Sequence, residues 1–250
     1  MAMKKFLNEY NQIGYFIQKN FIDQTFTNSL LKEVEKAKKL QNVDIYSDRG
    51  GLPRRIERLY DKGNYLKKLN LKISKLLEQV FSKSFLIFKD KFNYKPPGGE
   101  GYKAHFDGIF QFIDENNKVK NGWYEYGDVF VNVLISLDKA DESNGTLQIS
   151  EAIKDNFGKL YLKTTKDGSP NLAKEFEASL KFKSIDLNVG DVLVFDNRCP
   201  HKSQKNNSNK PRRILYYTYS PKSAGNYYEK YFNDKNNSKN ASNKALIGEK

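Results

Sequence analysis

From Val129 to Leu137 every second residue is apolar: Val129, Val131, Val133, Ile135 and Leu137 share one face of an extended chain. Successive side chains of a strand point to opposite faces, so this period of two predicts a β-strand over Asp128 to Leu137. Further extended runs surround it. Phe85 to Tyr94 is stopped by Pro96-Pro97-Gly98-Gly99, Asp191 to Phe195 follows a Val-Gly turn, and Arg213 to Tyr219 is β-branched and aromatic. Before them, Gly14 to Ile22 alternates like a strand. Phe26, Leu30, Leu31, Val34, Ala37 and Leu40 recur at helical spacing over Gln24 to Leu40, as do Leu69, Ile73, Leu76, Leu77 and Val80 over Asn64 to Phe81. Between these helices, residues 41–63 hold Gly50, Gly51 and Pro53 and read as a loop or lid. The chain reads as mainly β with N-terminal helices.

A chain of 250 residues with 38% hydrophobic content supports one packed domain, expected over residues 1–235, with helical support over about 24–82 and a β core over about 85–220. After Tyr231 the sequence turns polar, and residues 236–250 are expected to be a disordered tail. No run approaches the roughly 20 apolar residues of a membrane helix, and no leader pattern follows Met1. A cytoplasmic protein without a membrane partner, monomeric or homodimeric, is expected. The single cysteine, Cys199, excludes an internal disulfide framework and a Cys-rich zinc site, and reads as a small buried filler. The net charge of +13 comes from lysines spread among asparagines, without the clustering that phosphate binders show, so no nucleic-acid partner is expected. The arginines behave differently. They gather in two windows, 49–58 and 198–213, and guanidinium is the group suited to bidentate recognition of carboxylates and phosphates.

The chain has two histidines, one in His105-Phe106-Asp107 and one in Pro200-His201-Lys202. Two imidazoles and one carboxylate on one face of an octahedron hold Fe(II) and leave three positions open, two for 2-oxoglutarate and one for O₂. On a strand, His105 and Asp107 fall on the same face. His201 must come from a distant strand folded back beside them. Eleven residues beyond His201, Arg212 is placed to pair with the distal carboxylate of 2-oxoglutarate.

Several ordered motifs make the resemblance specific. Gly14-Tyr-Phe-Ile, Asn93-Tyr-Lys-Pro-Pro-Gly-Gly, His105-Phe-Asp107, Asn144-Gly-Thr-Leu-Gln-Ile, Gly190-Asp-Val-Leu-Val-Phe-Asp-Asn and His201-Lys-Ser203 with Pro211-Arg212-Arg213 resemble the phytanoyl-CoA dioxygenase family over roughly residues 8–232. The resemblance implies a double-stranded β-helix core of the jelly-roll or cupin type. It implies iron on His105, Asp107 and His201, and the 2-oxoglutarate carboxylate on Arg212 and Ser203. Lys95 stands where ectoine-hydroxylase-like members place a cosubstrate-binding lysine, and Asn93 and Tyr102 join that set. Arg213 is the alternative anchor, since adjacent strand residues face opposite ways and only one can point inward. Asp107 argues for hydroxylation, because halogenating relatives lack this carboxylate. The implied reaction consumes O₂ and 2-oxoglutarate and releases succinate and CO₂.

The run from Tyr216 to Lys235 resembles 2-aminoethylphosphonate dioxygenases and nearby phosphonate hydroxylases. A small polar metabolite is the expected substrate, with an alkylphosphonate such as 2-aminoethylphosphonate the first candidate. An amino-acid-like or other small natural product is the alternative. Arg54, Arg55, Arg58 and Arg198 are candidates for the anion. Tyr124, with Tyr102, Phe106, Phe110 and Trp123, is a candidate for an amine through cation–π contact. Residues 111–128, with Trp123 and Tyr126, are a second candidate specificity segment. Two rival readings remain: a cupin-like binding module without activity, and a nucleic-acid demethylase on the same core.

Overall fold

The computed structural model describes residues 2–48 and 50–238. Arg49 and residues 239–250, the greater part of the expected tail, lie outside the described residues. In chain order the elements are α1 (Ala2–Ile13), β1 (Tyr15–Gln18), α2 (Gln24–Ala37), β2 (Asp44–Ser47), β3 (Pro53–Glu57), α3 (Asn64–Phe81), β4 (Phe85–Lys95), β5 (Tyr102–His105), β6 (Phe112–Ile113) and β7 (Val119–Lys120). There follow β8 (Val131–Ser136), β9 (Leu147–Ile149), α4 (Phe157–Tyr161), α5 (Lys174–Ala178), β10 (Lys183–Ser184), β11 (Val192–Asp196), β12 (His201–Ser203), β13 (Arg212–Pro221) and α6 (Tyr228–Asn237).

Two antiparallel sheets build a jelly-roll of the double-stranded β-helix type. The larger has the order β1-β11-β8-β13-β4-β3-β2, the smaller β10-β9-β12-β5. The period of two sorts the larger sheet's side chains. Val131, Val133 and Ile135 of β8, Val192 and Val194 of β11, and Leu215, Tyr217 and Tyr219 of β13 join a core with α2 and α3. Their neighbours Leu134, Leu193, Phe195, Ile214 and Tyr216 enter a second core with the smaller sheet. Both faces are therefore buried, which explains why β8 is buried at all six positions. Val129 precedes the strand and is exposed, so it does not share the buried face expected of it.

The two expected helices form because each has one apolar stripe for the sheet. α2 starts at Asp23, whose carboxylate caps Phe26 N at 2.7 Å, and it buries Leu30, Val34 and Ala37. α3 buries Leu66, Leu69, Ile73, Leu76, Leu77 and Val80. Its N-cap is Gly63, which offers no side chain. Glu33 of α2 does the capping instead, accepting from Tyr65 N at 3.0 Å and Leu66 N at 2.9 Å. A Cβ at Gly63 would meet the Glu33 carboxylate at 2.2 Å, so a larger residue there would displace the cap.

Three segments differ from the sequence expectation. Residues 41–63 are not a loop or lid. β2 and β3 pair as a hairpin at the edge of the larger sheet, with β3 bonded to β4, and Gly50-Gly51 is only the tip, held by Asp48 through Gly50 N and Leu52 N. α1 was not expected, and it packs Phe6, Leu7 and Tyr10 on the helical core. α6 also appears, burying Tyr228, Tyr231, Phe232 and Lys235, and it carries order through Asn237, beyond the start expected for the tail.

Candidate active site

β12 runs antiparallel to β5 with His201 directly opposite His105, and their ring centroids lie 4.2 Å apart. Asp107 follows β5 and turns back, placing Oδ2 3.6 Å from His201 Nε2. One donor atom from each of His105, Asp107 and His201 lies within 4.8 Å of the others. Both rings are oriented from behind: His105 Nδ1 is 2.7 Å from Lys103 O, and His201 Nδ1 is 3.0 Å from Cys199 O. A carbonyl can only accept, so each Nδ1 carries the hydrogen and each Nε2 keeps its lone pair for the site. Burial, with His201 nearby, pushes His105 down to about 3, and burial lowers His201 as well, so both imidazoles are neutral. Burial alone would raise Asp107. His201, Lys91, His105 and the Tyr216 hydroxyl outweigh it and hold the group below the usual carboxylate range. Two neutral imidazoles and one ionised carboxylate fit a divalent iron.

Asp107 is fixed from the larger sheet. Its Oδ2 accepts from Asn132 Nδ2 at 3.0 Å and from the Tyr216 hydroxyl, and Asn132 Oδ1 accepts from Thr218 Oγ1 at 2.8 Å. Asn197 Nδ2 donates to Asp107 O at 3.1 Å. Cys199 is fully buried, with Sγ 3.5 Å from Gly14 O, and fills space as expected of it.

The triad opens into a cavity between the sheets. Arg212, Ser203, Asn93 and Tyr102 line it. Arg212 is buried, its Nε has no hydrogen-bond partner, and burial pushes the guanidinium down to about 10. Asn93 Oδ1 is likewise buried and unpartnered. Arg213 faces the other way and grips Asp138 with two bonds of 2.7 and 2.8 Å. Of the two adjacent arginines, Arg212 is the one that points inward. Lys95 is buried but does not line the cavity. Its ammonium donates to Gly145 O at 3.0 Å, Ser203 Oγ at 2.9 Å and Gln204 O at 2.6 Å, which uses all three hydrogens.

Of the arginines expected to meet the substrate, only Arg55 reaches the cavity. Arg54 donates to Tyr94 O and lies near Asp48, Arg58 pairs with Glu229 at 2.6 Å, and Arg198 is bidentate to Asp196. Tyr124 packs against Phe130 and Phe157, also away from the cavity lining. From the 111–128 segment, Trp123 and Tyr126 do line the cavity while packing around Phe88 in the core. The sequence reading did not single out Lys89, Lys91, Tyr216, Asn132 or Lys235. Lys89, Lys91 and Asn93 occupy alternate positions of β4 and line one cavity wall, and Tyr231 and Lys235 of α6 line it too. Burial, with a smaller opposing effect from Asp107, pushes Lys91 down to about 7.

The family model described as phytanoyl-CoA dioxygenase (PhyH) matches residues 10–214. The chain belongs to the phytanoyl-CoA dioxygenase family. It is a 2-oxoglutarate-dependent dioxygenase whose cofactors are Fe(II) and 2-oxoglutarate. A methylphosphonate hydroxylase of Gimesia maris is 28% identical over 93% of this chain and 86% of that protein. A 2-aminoethylphosphonate dioxygenase from an uncultured bacterium is 26% identical over 64% of this chain, and the match spans 55% of that relative. Among solved structures, the EctD of S. alaskensis with 2-oxoglutarate and 5-hydroxyectoine superposes with a TM-score of 0.67 at 15% identity, over 88% of this chain and 76% of that one. The epimerase SnoN with Fe3+ and alpha ketoglutarate gives 0.66 at 14% identity, over 88% and 84%. These structural likenesses establish the fold. No helix among the described residues is long and apolar enough to cross a membrane.

Proposed function

We propose that this dioxygenase hydroxylates a small alkylphosphonate at a carbon held beside the triad of His105, Asp107 and His201. The reaction consumes substrate, 2-oxoglutarate and O₂ and yields the hydroxylated substrate, succinate and CO₂. Iron held by His105, Asp107 and His201 would bind and activate O₂, which is the oxidant. The residues supply position. Asp107 stays ionised and its orientation is held by Asn132 and Tyr216. Arg212 and Ser203 take the distal carboxylate of 2-oxoglutarate. The observation that carries this assignment is the buried Arg212 guanidinium, whose Nε has no partner within the protein and which lines the same cavity as the triad.

Ser203 is prepared for that role. Its Oγ accepts from Lys95 Nζ at 2.9 Å and from Tyr102 N at 3.2 Å. With both lone pairs engaged, the hydroxyl hydrogen is free to donate to an anion. Lys95 thus acts through Ser203 rather than on the cosubstrate itself. The phosphonate assignment is supported by the methylphosphonate and 2-aminoethylphosphonate relatives. Phe110, Phe112 and Trp123 give the cavity an apolar wall. Cations that line the internal cavity suit a small-molecule partner rather than a nucleic acid or a membrane surface.

The test is succinate formation by protein loaded anaerobically with Fe(II) and then given O₂. Succinate that rises only with methylphosphonate or 2-aminoethylphosphonate, and is lost in His105→Ala, supports the proposal. Stimulation by an amino acid or another small metabolite, and not by phosphonates, overturns the substrate class. Absence of succinate from iron-loaded protein with every substrate overturns the assignment as a whole.

A further inference from the structure

The inward side chains of β4 order the cavity. Arg212 of β13 stands across from Lys95, Tyr216 stands across from Lys91, and Thr218 stands across from Lys89. Tyr216 touches Asp107, so the triad lies abreast of Lys91. The cosubstrate anchor is therefore towards the Lys95 end, and the space left for substrate is towards Lys89, about 20 Å further along six residues of strand.

At that end, charge gathers in excess. Arg55 is 7% exposed and lines the cavity; its Nε faces Glu57 Oε1 at 3.3 Å, while its Nη2 has no hydrogen-bond partner. Glu57, fully buried, lies 3.3 Å from Arg55 and accepts from Lys235 of α6. Lys89 has no ion-pair partner among the described residues. Its ammonium lies over the rings of Trp123 and Tyr231, at 5.4 and 5.5 Å. Arg55, Lys89 and Lys235 bring three positive charges against the carboxylates of Glu57 and Asp44, which leaves positive charge in excess. Buried charge in surplus is costly unless something offsets it.

We infer that Arg55, Lys89 and Lys235 form the seat for the substrate's phosphonate dianion, with Glu57 as its internal counterion and α6 as one of its walls. This rests on the phosphonate assignment above. An anionic group offsets this excess, and a phosphonate brings three oxygens to meet the donors around it. The unpartnered Arg55 Nη2 supplies directional N–H donors for phosphonate oxygens. The seat also locates specificity. Tyr231 and Lys235 lie on α6, beyond residue 214 where the family model ends, so this wall can differ between relatives that share the iron and cosubstrate machinery.

The test compares wild type with Lys89→Gln and Arg55→Lys, as the anaerobic Fe(II) and 2-oxoglutarate complex, by calorimetric titration with methylphosphonate and with inorganic phosphate, alongside steady-state kinetics. Lys89→Gln removes an ammonium that has no ion-pair partner, so it keeps the fold intact where Lys235→Met would strand Glu57. The seat predicts that Kd and KM for the phosphonate rise roughly ten- to a hundred-fold in each variant, with the change falling on KM rather than kcat and the KM for 2-oxoglutarate unchanged. Phosphonate oxidation with wild-type KM in both variants overturns the seat and leaves the substrate assignment standing. Lys89-dependent phosphate binding in a protein that oxidises no phosphonate supports a dianion seat and overturns the substrate assignment. Wild-type protein that binds neither anion overturns the seat.

Discussion

Tyr216 donates its hydroxyl hydrogen to the same Asp107 oxygen that accepts from Asn132, so one carboxylate oxygen is committed to the larger sheet before any metal arrives. This fixes the carboxylate's rotation relative to the two imidazoles. Groups that orient a metal ligand in this way typically contribute 10–100-fold in metal affinity. Tyr216→Phe is expected to weaken Fe(II) binding within that range, while stability changes by about 1–2 kcal/mol because Asn132 still donates. Competition against a chromogenic chelator measures the first and thermal unfolding the second. An unchanged iron affinity would mean that Asn132 alone orients Asp107.

The adjacent arginines Arg212 and Arg213 give a paired prediction. Arg212→Lys removes the planar fork that can meet a carboxylate with two bonds, and is expected to raise the KM for 2-oxoglutarate by about tenfold or more. Arg213→Lys loosens only the half-buried pair with Asp138, a change of about 1 kcal/mol or less after solvent screening, with the KM unchanged. Equal KM effects from the two variants would count against the assignment of Arg212.

Iron should also be visible in stability. A ligand that binds only the folded state stabilises it by about 2.7 kcal/mol at a hundred times its Kd, which for a chain of this size is roughly 5–10 °C in Tm. Anaerobic Fe(II) is expected to raise Tm by that amount, chelation to reverse it, and His105→Ala to abolish the response. A response that survives in His105→Ala would place the metal elsewhere.

The sequence made the triad legible because it holds only two histidines, and one of them shares a strand period with a carboxylate. The helices α2 and α3 were legible because one face of each is apolar and the other charged. The edge hairpin was not, since β2 alternates between half-buried and exposed positions and its Gly-Gly tip dominated the local pattern. The cationic seat was hidden by composition. In a lysine-rich chain Lys89 and Lys91 looked like background, although they alternate with the core residues Phe88, Asp90 and Phe92, which is what an inward polar face of a sheet strand looks like. Lys235 was unreadable because its partner Glu57 lies far away in the sequence, and only the fold brings them together.

That pair sets a pH dependence. Burial, partly opposed by Glu57, pushes Lys235 down to about 8, well below its unfolded value of about 10.4. The groups facing it are Glu57 and Arg55 on β3, Tyr46 and Asp44 on β2, and Lys89 on β4. Lys89 and Arg55 are both held above their ordinary values: burial opposes this, but it is outweighed by Tyr231 and Glu57 at Lys89 and by Glu57 at Arg55, so Lys235 is the member of the seat that discharges first. As pH rises through about 8 the folded protein loses the Lys235 proton, and the KM for a dianionic substrate is expected to climb towards tenfold per pH unit. Stability moves the other way. Between about 8 and about 10.4 the unfolded chain binds more protons at this residue, so its contribution to stability rises with pH and the loss of affinity is not unfolding. Glu57, pulled down to about 2 by Arg55 and Lys235 against its burial, adds stability that is present above about 4.5 and lost as pH falls towards 2. Lys235→Arg keeps a charge that does not titrate in this range. It is expected to abolish the alkaline limb of kcat/KM, and an alkaline limb that persists in Lys235→Arg would assign the titration to another group.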